Sequence, residues 1–305
     1  MKVLIATEKP FAKEALEAIK KEIVDGGHSV EVLEKYTEKS ELLSAVAQAN
    51  AVIIRSDIID KEVLDAAKEL KIVVRAGAGY DNVDIQSAKE HQVVVENTPG
   101  QNANAVAELV FGLLVYAVRN FYNGKSGSEL KGKKLGLLAY GNVSRNVSRI
   151  AKGFGMDVYA YDAYCTAEQI ESDGVKAVSS PSALFEQCDV VSLHIPATPE
   201  TTKSINYELV NKLPKGGILV NTARKEVINE EELLKLMAER QDIKFITDIK
   251  PNADEQFAQF EGRYFSTPKK MGAQTSEANT NAGIAAAKQI NAFFNEGCTK
   301  YQVNK

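Results

Sequence analysis

Six side chains able to do chemistry share one position in this sequence. Each stands at or just after a short apolar run of the kind that forms a buried strand: Arg55 after AVII, Arg75 after IVV, Asp162 after VYAY, His194 after VVSL, Arg224 after ILVNTA and Asp248 after FIT. In open α/β sheets, functional side chains collect beyond the carboxyl ends of the strands. The convergence therefore points to a ligand cleft between two such sheets rather than to scattered surface charge. Arginine forks suit carboxylates and phosphates, which they grip bidentately.

The stretch Lys133 to Asp162 organises the rest. Leu135–Leu138 reads as a strand. The turn Ala139-Tyr-Gly141-Asn-Val-Ser144 follows, and then Val143, Val147, Ile150, Ala151 and Phe154 recur at helical spacing. Gly153 and Gly155 stop that helix, and Val158–Tyr161 resumes as a strand ending in Asp162. This is the layout of a dinucleotide-binding βαβ unit. Backbone N–H groups of Asn142 and Val143 would meet a pyrophosphate at the helix N-terminus, and Asp162 would take ribose hydroxyls. Of the G-x-G-x-x-G pattern only Gly141 survives, with Ala139 and Ser144 at the flanking positions. That alone does not separate the unit from an ordinary buried βαβ; Asp162, 21 residues past Gly141, adds weight. Ala139 is tolerated if its φ is negative and strained otherwise. Ser144 is expected to widen the helix–sheet spacing or to bond back to a carbonyl, and Ser144→Gly to tighten dinucleotide binding.

The elements that position these residues alternate. Val3–Ala6, Val30–Leu33, Ala51–Arg55, Ile72–Arg75 and Val93–Glu96 read as strands. Helices are predicted at Ala12–Ile23, at Glu41–Ala49 behind Ser40 as cap, and at Lys61–Leu70 behind Asp60. Such alternation gives a parallel sheet with helices on both faces. Asn104–Asn120 is apolar nearly all round, as either a central core helix or an interdomain helix meeting a partner subunit. A second series follows, with strands Leu135–Leu138, Val158–Tyr161, Val190–His194, Ile218–Asn221 and Phe245–Asp248. The helix Ser276–Phe294 is long enough to return to the first domain. The expected division is a discontinuous substrate domain, 1–99 plus 280–305, around a cofactor domain, 100–279.

With 44% hydrophobic and 26% charged residues in 305, the composition is that of a soluble globular protein. A net charge of −4 offers no electrostatic case for nucleic acid. No apolar run reaches membrane-spanning length, and the opening MKVLIATEKP reads as a strand rather than a signal peptide. Cys165, Cys188 and Cys298 lack metal spacing, so no metal is expected and a reducing cytoplasm is.

Several segments resemble the D-isomer-specific 2-hydroxyacid dehydrogenase family: VVRAGAGYDNVDI (73–85), NTPGQNANAVAELVFGLL (97–114), the 133–162 unit, DVVSLHIPATPETT (189–202), GILVNTARKEVINEEELL (217–234) and MGAQTSEANTNAG (271–283). Within it the chain is most similar to short D-3-phosphoglycerate dehydrogenases; ending at Lys305, it leaves no room for a regulatory domain. The resemblance implies two Rossmann-like, flavodoxin-like parallel-sheet domains, NAD as cofactor and a homodimer. It implies nicotinamide contacts at Thr222, Ala223 and Asp248, a cofactor contact at Gly272, and substrate contacts at Arg55, Ser56, Arg75, Gly77, Gly79 and Asn102. Asp162, with no Arg or Lys following at once, disfavours a 2′-phosphate.

A 2-hydroxy acid loses a hydride to the nicotinamide and a proton to a base. Arg224 matches the arginine that holds the carboxylate and polarises the carbonyl; the alternative is a surface arginine paired with Glu230 or Glu231. The family's acid/base histidine falls at Lys270, with Lys269 adjacent, and its orienting glutamate, the fifth residue after Asp248, is Ala253. The two departures agree physically, because a lysine has no tautomer to fix and a carboxylate would raise its pKa. Burial, Lys269 and Arg224 are expected to lower it. The alternative is a solvated lysine pair and an inactive chain. The paired Arg55 and Arg75 favour a phosphorylated substrate, unless they bridge to Asp57 or Asp81. The leading function is oxidation of D-3-phosphoglycerate to 3-phosphohydroxypyruvate in serine synthesis. The alternatives are a glyoxylate/hydroxypyruvate reductase or related dehydrogenase, and a non-enzymatic NAD-binding sensor or corepressor.

Overall fold

Most runs of Val, Ile and Leu do become strands buried on both faces, while the edge strand Ser29–Glu34 stays largely exposed. The computed structural model describes Met1–Lys305 and divides into two compact units, Met1–Asn102 with Gln274–Lys305, and Ala103–Ala273.

The first unit runs β1 (Lys2–Thr7), α1 (Lys13–Asp25), β2 (Ser29–Glu34), α2 (Lys39–Val46), β3 (Ala51–Ile54), α3 (Lys61–Ala66), β4 (Ile72–Arg75), α4 (Ile85–Glu90) and β5 (Val94–Asn97). Its five strands are parallel, in the order β2-β1-β3-β4-β5. Strand order reverses between β1 and β3, so their carboxyl ends, Thr7 and Ile54, border the crevice where such sheets bind ligands.

The second unit opens with α5 (Ala103–Val118) and continues β6 (Lys134–Leu138), α6 (Asn142–Gly153), β7 (Asp157–Tyr161), α7 (Ala167–Glu171), β8 (Lys176–Ala177), α8 (Pro181–Gln187), β9 (Val190–Leu193), α9 (Tyr207–Asn211), β10 (Ile218–Asn221), α10 (Glu230–Glu239), β11 (Lys244–Thr247), α11 (Asp254–Phe257) and β12 (Tyr264–Ser266). Its seven strands are also parallel, ordered β12-β11-β10-β9-β6-β7-β8, with the reversal between β6 and β9. α5 is a core helix of this unit: Val110, Leu114 and Ala117 are fully buried against Leu135, Val147 and Val158.

Back in the first unit, α12 (Ser276–Glu296) covers one sheet face together with α1, packing Ala286, Ala287 and Ile290 with Ile19, Ile53 and Val74. α2, α3 and α4 cover the other face.

Two local expectations are corrected. Ser40 does not cap α2, which begins one residue earlier; the Glu41 carboxylate instead accepts the Thr37 and Glu38 N–H groups. The helix predicted to reach Asn120 ends at Val118, and Asn120, Phe121 and Tyr122 follow with φ of 52°, 54° and 56°. The Lys244 ammonium explains the stop, because it donates to the Ala117 carbonyl (2.7 Å) and to Asn120 Oδ1 (3.0 Å) and lies over the Phe121 ring. Asp60 does cap α3, accepting from Val63 N–H at 3.2 Å.

α12 approaches α1 closely only because residue 283 is glycine. A Cβ there would stand 2.2 Å from Ile19 Cδ1 and 3.1 Å from Phe11 Cε1. Gly283→Val should therefore overpack this contact and cost about 1–3 kcal/mol, read in denaturant unfolding. An unchanged midpoint would show that the two helices separate without penalty.

Candidate active site

In the second unit the turn after β6 carries the positions where sequence and geometry disagree most. Ala139 has φ +77°, the left-handed region that a Cβ disfavours. The condition for tolerance set by the sequence is not met, and the neighbours show what holds the residue there. Ser144 Oγ, fully buried, donates to the Ala139 carbonyl at 2.6 Å. Ala139 N–H donates to the Tyr161 carbonyl, and Tyr140 N–H to Asp162 Oδ2 at 2.6 Å. Ser144 thus takes the second of its two expected roles, and Ser144→Gly would also remove a brace on the turn.

Gly141 precedes α6, whose first turn has no side-chain cap, and a Cβ on Gly141 would meet nothing within 4 Å. The N–H groups of Asn142 and Val143 therefore head an open helix N-terminus, suited to a pyrophosphate. Asp162 accepts three backbone N–H groups, from Tyr140, Tyr164 and Cys165, at 2.6–2.8 Å. Burial works to raise its pKa, but these bonds outweigh it and hold the carboxyl below the usual range. It stays ionised, with the chemistry that would accept hydroxyl donors and repel a phosphate.

On the neighbouring strands His194 and Thr222 follow β9 and β10 and carry buried polar atoms, Nε2 and Oγ1, with no partner in the protein. Burial pushes the His194 pKa down to about 3, so the ring is neutral and is no acid/base near neutrality. Buried polar groups call for partners. These two, with the open Gly141 turn and the ionised Asp162, fit a dinucleotide laid across the carboxyl ends of β6, β7, β9 and β10.

Arg224 is set by its own turn. Asn221, buried at the end of β10, accepts Ala223 N–H on Oδ1 (2.9 Å) and donates from Nδ2 to the Arg224 carbonyl (2.9 Å). Arg224 Nη1 in turn donates to the Ala223 carbonyl. Glu230 is engaged by the N–H groups of Asn252 and Ala253.

Asp248 proves to be the support of the Lys269–Lys270 segment. Its carboxylate, fully buried, accepts Met271 N–H (2.8 Å), Gly272 N–H (2.7 Å) and the Thr267 hydroxyl (2.9 Å). The Gly272 amide is thereby already donated within the protein. Glycine is favoured there because a Cβ would lie 3.0 Å from Asp248 Oδ2 and 3.1 Å from Val106 Cγ2. Lys269 and Lys270 are exposed on this unit, so the expected burial is not supplied by it. Asp254 bonds Tyr264 Oη (2.6 Å) and Lys250 Nζ (2.9 Å).

In the first unit Arg55 sits just past β3, at the strand-order reversal. Its guanidinium, half-buried, donates to the carbonyls of Lys9 (2.9 Å) and Pro10 (3.1 Å) and to Asn279 Oδ1 (2.7 Å), and lies 5.1 Å over the Phe11 ring. Every one of these acceptors is neutral, and burial lowers its pKa. Asp57 does not bridge to it. That carboxylate, 1% exposed, accepts the N–H groups of Glu8 (2.7 Å) and Arg55 (3.0 Å) and the Tyr36 hydroxyl (2.8 Å). Arg75 Nε donates to the Arg55 carbonyl (3.0 Å), which places the second arginine beside the first. Ser56 is exposed on the same turn.

Gly77 is required by its own backbone and by Arg75. Its φ is +154°, and a Cβ would stand 1.4 Å from Arg75 Nη1, so the arginine folds over the glycine. Its N–H is donated to the Arg75 carbonyl (2.8 Å) rather than held open for a ligand. Gly79 and Asn102 are half-buried in this unit. Sequence reading missed Asp57, Tyr36, Asn221 and Asn279; only Asn221, inside NTAR after a strand, carried a signal.

Residues 116–264 match the family model described as the D-isomer specific 2-hydroxyacid dehydrogenase, NAD binding domain. The chain is 34% identical to a hydroxypyruvate reductase of Thermotoga maritima over 92% of this chain and 95% of that protein. It is 34% identical to a D-3-phosphoglycerate dehydrogenase of Methanocaldococcus jannaschii over 83% of this chain, spanning 51% of that relative's length. Among solved structures, an NAD+-bound 3-phosphoglycerate dehydrogenase of Entamoeba histolytica matches with a TM-score of 0.89 and 46% identity, covering 100% of this chain and 99% of that one.

Two measurements check the site's architecture. Ala139→Gly should relieve the left-handed strain and stabilise the protein by about 1 kcal/mol, seen as a raised unfolding midpoint; a lowered midpoint would mean the turn is not strained. Asp248→Ala should strand three donors, cost about 3 kcal/mol, and release amide-exchange protection at Met271 and Gly272 before global unfolding.

Proposed function

This chain belongs to the D-isomer-specific 2-hydroxyacid dehydrogenase family, and from that membership we propose that it oxidises D-3-phosphoglycerate to 3-phosphohydroxypyruvate. The observation that carries the choice of substrate is Arg55. A half-buried guanidinium whose hydrogen-bond partners are all neutral carbonyl oxygens has Asp57 as a counter-charge through space but no anion in direct contact, and a phosphate supplies that contact. Arg75, tied to the Arg55 carbonyl, adds a second cation on the same side.

NAD, held at the α6 N-terminus and Asp162, supplies the hydride acceptor when bound. The chain's own residues handle the charge and the proton. Arg224 holds the substrate carboxylate and polarises the oxygen at C2. Lys270 takes the C2 hydroxyl proton on Nζ during oxidation and returns it in reduction, with Lys269 the neighbouring alternative. Asp248 fixes the backbone that carries both lysines. The reading includes a place in serine synthesis and assembly as a homodimer, which sedimentation would test.

A second reading has support of its own: the hydroxypyruvate reductase from Thermotoga maritima matches this chain along nearly its full length. Turnover separates the two. NADH formation with 3-phosphoglycerate in alkaline buffer should be robust. Arg55→Met should raise KM for the phosphorylated substrate about 100-fold and leave hydroxypyruvate reduction nearly unchanged. Equal effects on both substrates would point to the reductase, and a flat trace with intact NAD binding to a sensor. Lys270→Met should lower kcat by about 10²–10⁴-fold, and full turnover in that variant would remove Lys270 from the reaction.

A further inference from the structure

The edge of the first unit's sheet carries a cavity that the dehydrogenase chemistry does not use. β5 pairs with β4 on one side only, and its outer side is laced by the chain's last residues. Val303 N–H donates to the Val95 carbonyl (2.9 Å), and the Asn304 side chain bonds Val95 N–H (3.0 Å) and the Val93 carbonyl (2.8 Å). Between this lacing, α12 and the segment leaving β5 lies a cavity of about 320 Å³, lined by Glu96, Pro99, Gln101, Lys288, Gln289 and Tyr301 among others.

Two of its lining residues carry acceptors with capacity to spare. Glu96 is 1% exposed; its carboxylate accepts Tyr301 N–H at 3.2 Å and is in no ion pair. Gln289 is 8% exposed; its Nε2 donates to the Asn97 carbonyl at 3.0 Å, while Oε1 has no partner. A carboxylate in that setting lacks compensation for its lost hydration, which pushes the Glu96 pKa up. Lys288 lies exposed on α12 at the rim, in no ion pair. At about 30 Å³ per water, the space holds about ten waters or a small organic molecule.

We propose that this cavity binds a small molecule carrying a primary ammonium group, with Glu96 and the Gln289 amide oxygen as its acceptors. An ammonium brings three N–H donors and the positive charge that Glu96 lacks. Lys288 is placed to meet an anionic group on the same ligand, which favours a zwitterion over a plain amine. Pro99 and Gln101 belong to the segment leading from β5 into the second unit, so occupancy braces that segment.

The test is thermal unfolding of the full chain with ethylamine, with L-alanine and with potassium chloride at equal concentration. Ethylamine and alanine should raise the midpoint by about 2–4 °C at tenfold their dissociation constant, and potassium chloride should not. The shift should vanish in Glu96→Gln and in Gln289→Met; the latter keeps volume and removes the amide oxygen, so it serves if Glu96→Gln does not fold. Lys288→Ala should weaken alanine and spare ethylamine. No shift with either amine, an equal shift with potassium chloride, or shifts that persist in Gln289→Met would overturn the proposal.

Discussion

Three carboxylates beyond the ends of parallel strands, one in the first unit and two in the second, hold the candidate functional loops in shape, each by accepting hydrogen bonds from loops that have no ladder to join. Asp57 takes the amides of Glu8 and Arg55 and the Tyr36 hydroxyl. Asp162 takes three amides and ties the β6 turn to the loop after β7. Asp248 takes two amides and a hydroxyl and carries the lysine segment. A parallel sheet ends in splayed chains whose backbone donors must find acceptors, and an ionised carboxylate is the strongest acceptor the sequence can place there. The chemistry-bearing side chains then stand on loops fixed from beneath.

Much of this was legible in the sequence, for a physical reason. Strands buried on both faces leave continuous apolar runs, so a polar residue that interrupts them announces a strand's end. Arg55, Arg75, Asp162, Arg224 and Asp248 were all visible that way. What the sequence could not supply was direction. Asp248 was marked as a ligand residue, yet its carboxylate is given to Thr267, Met271 and Gly272, some 20 residues on. The partners of a carboxylate depend on which loop folds back over it, and that is a tertiary fact.

The turn at Ala139 was illegible for a different reason. Composition says only that glycine is absent; it does not say whether φ turns positive. The braces that keep it there, the Ser144 hydroxyl and the bond between Tyr140 N–H and Asp162, come from residues 5 and 23 positions away from Ala139. The end of α5 was misjudged similarly, since Lys244, which stops it, lies on β11.

The seat of Arg55 has a consequence for how tightly an anion is held. Its fork is pinned by the Lys9 and Pro10 carbonyls just before α1 and by Asn279 on α12, with Phe11 beneath. An arginine side chain surrenders about 2 kcal/mol of rotamer freedom when it is fixed. Here that loss is incurred when the domain folds. An anion binding there would meet a guanidinium already tied by four contacts and already stripped of part of its water, so ordering the cation would subtract little from the binding free energy.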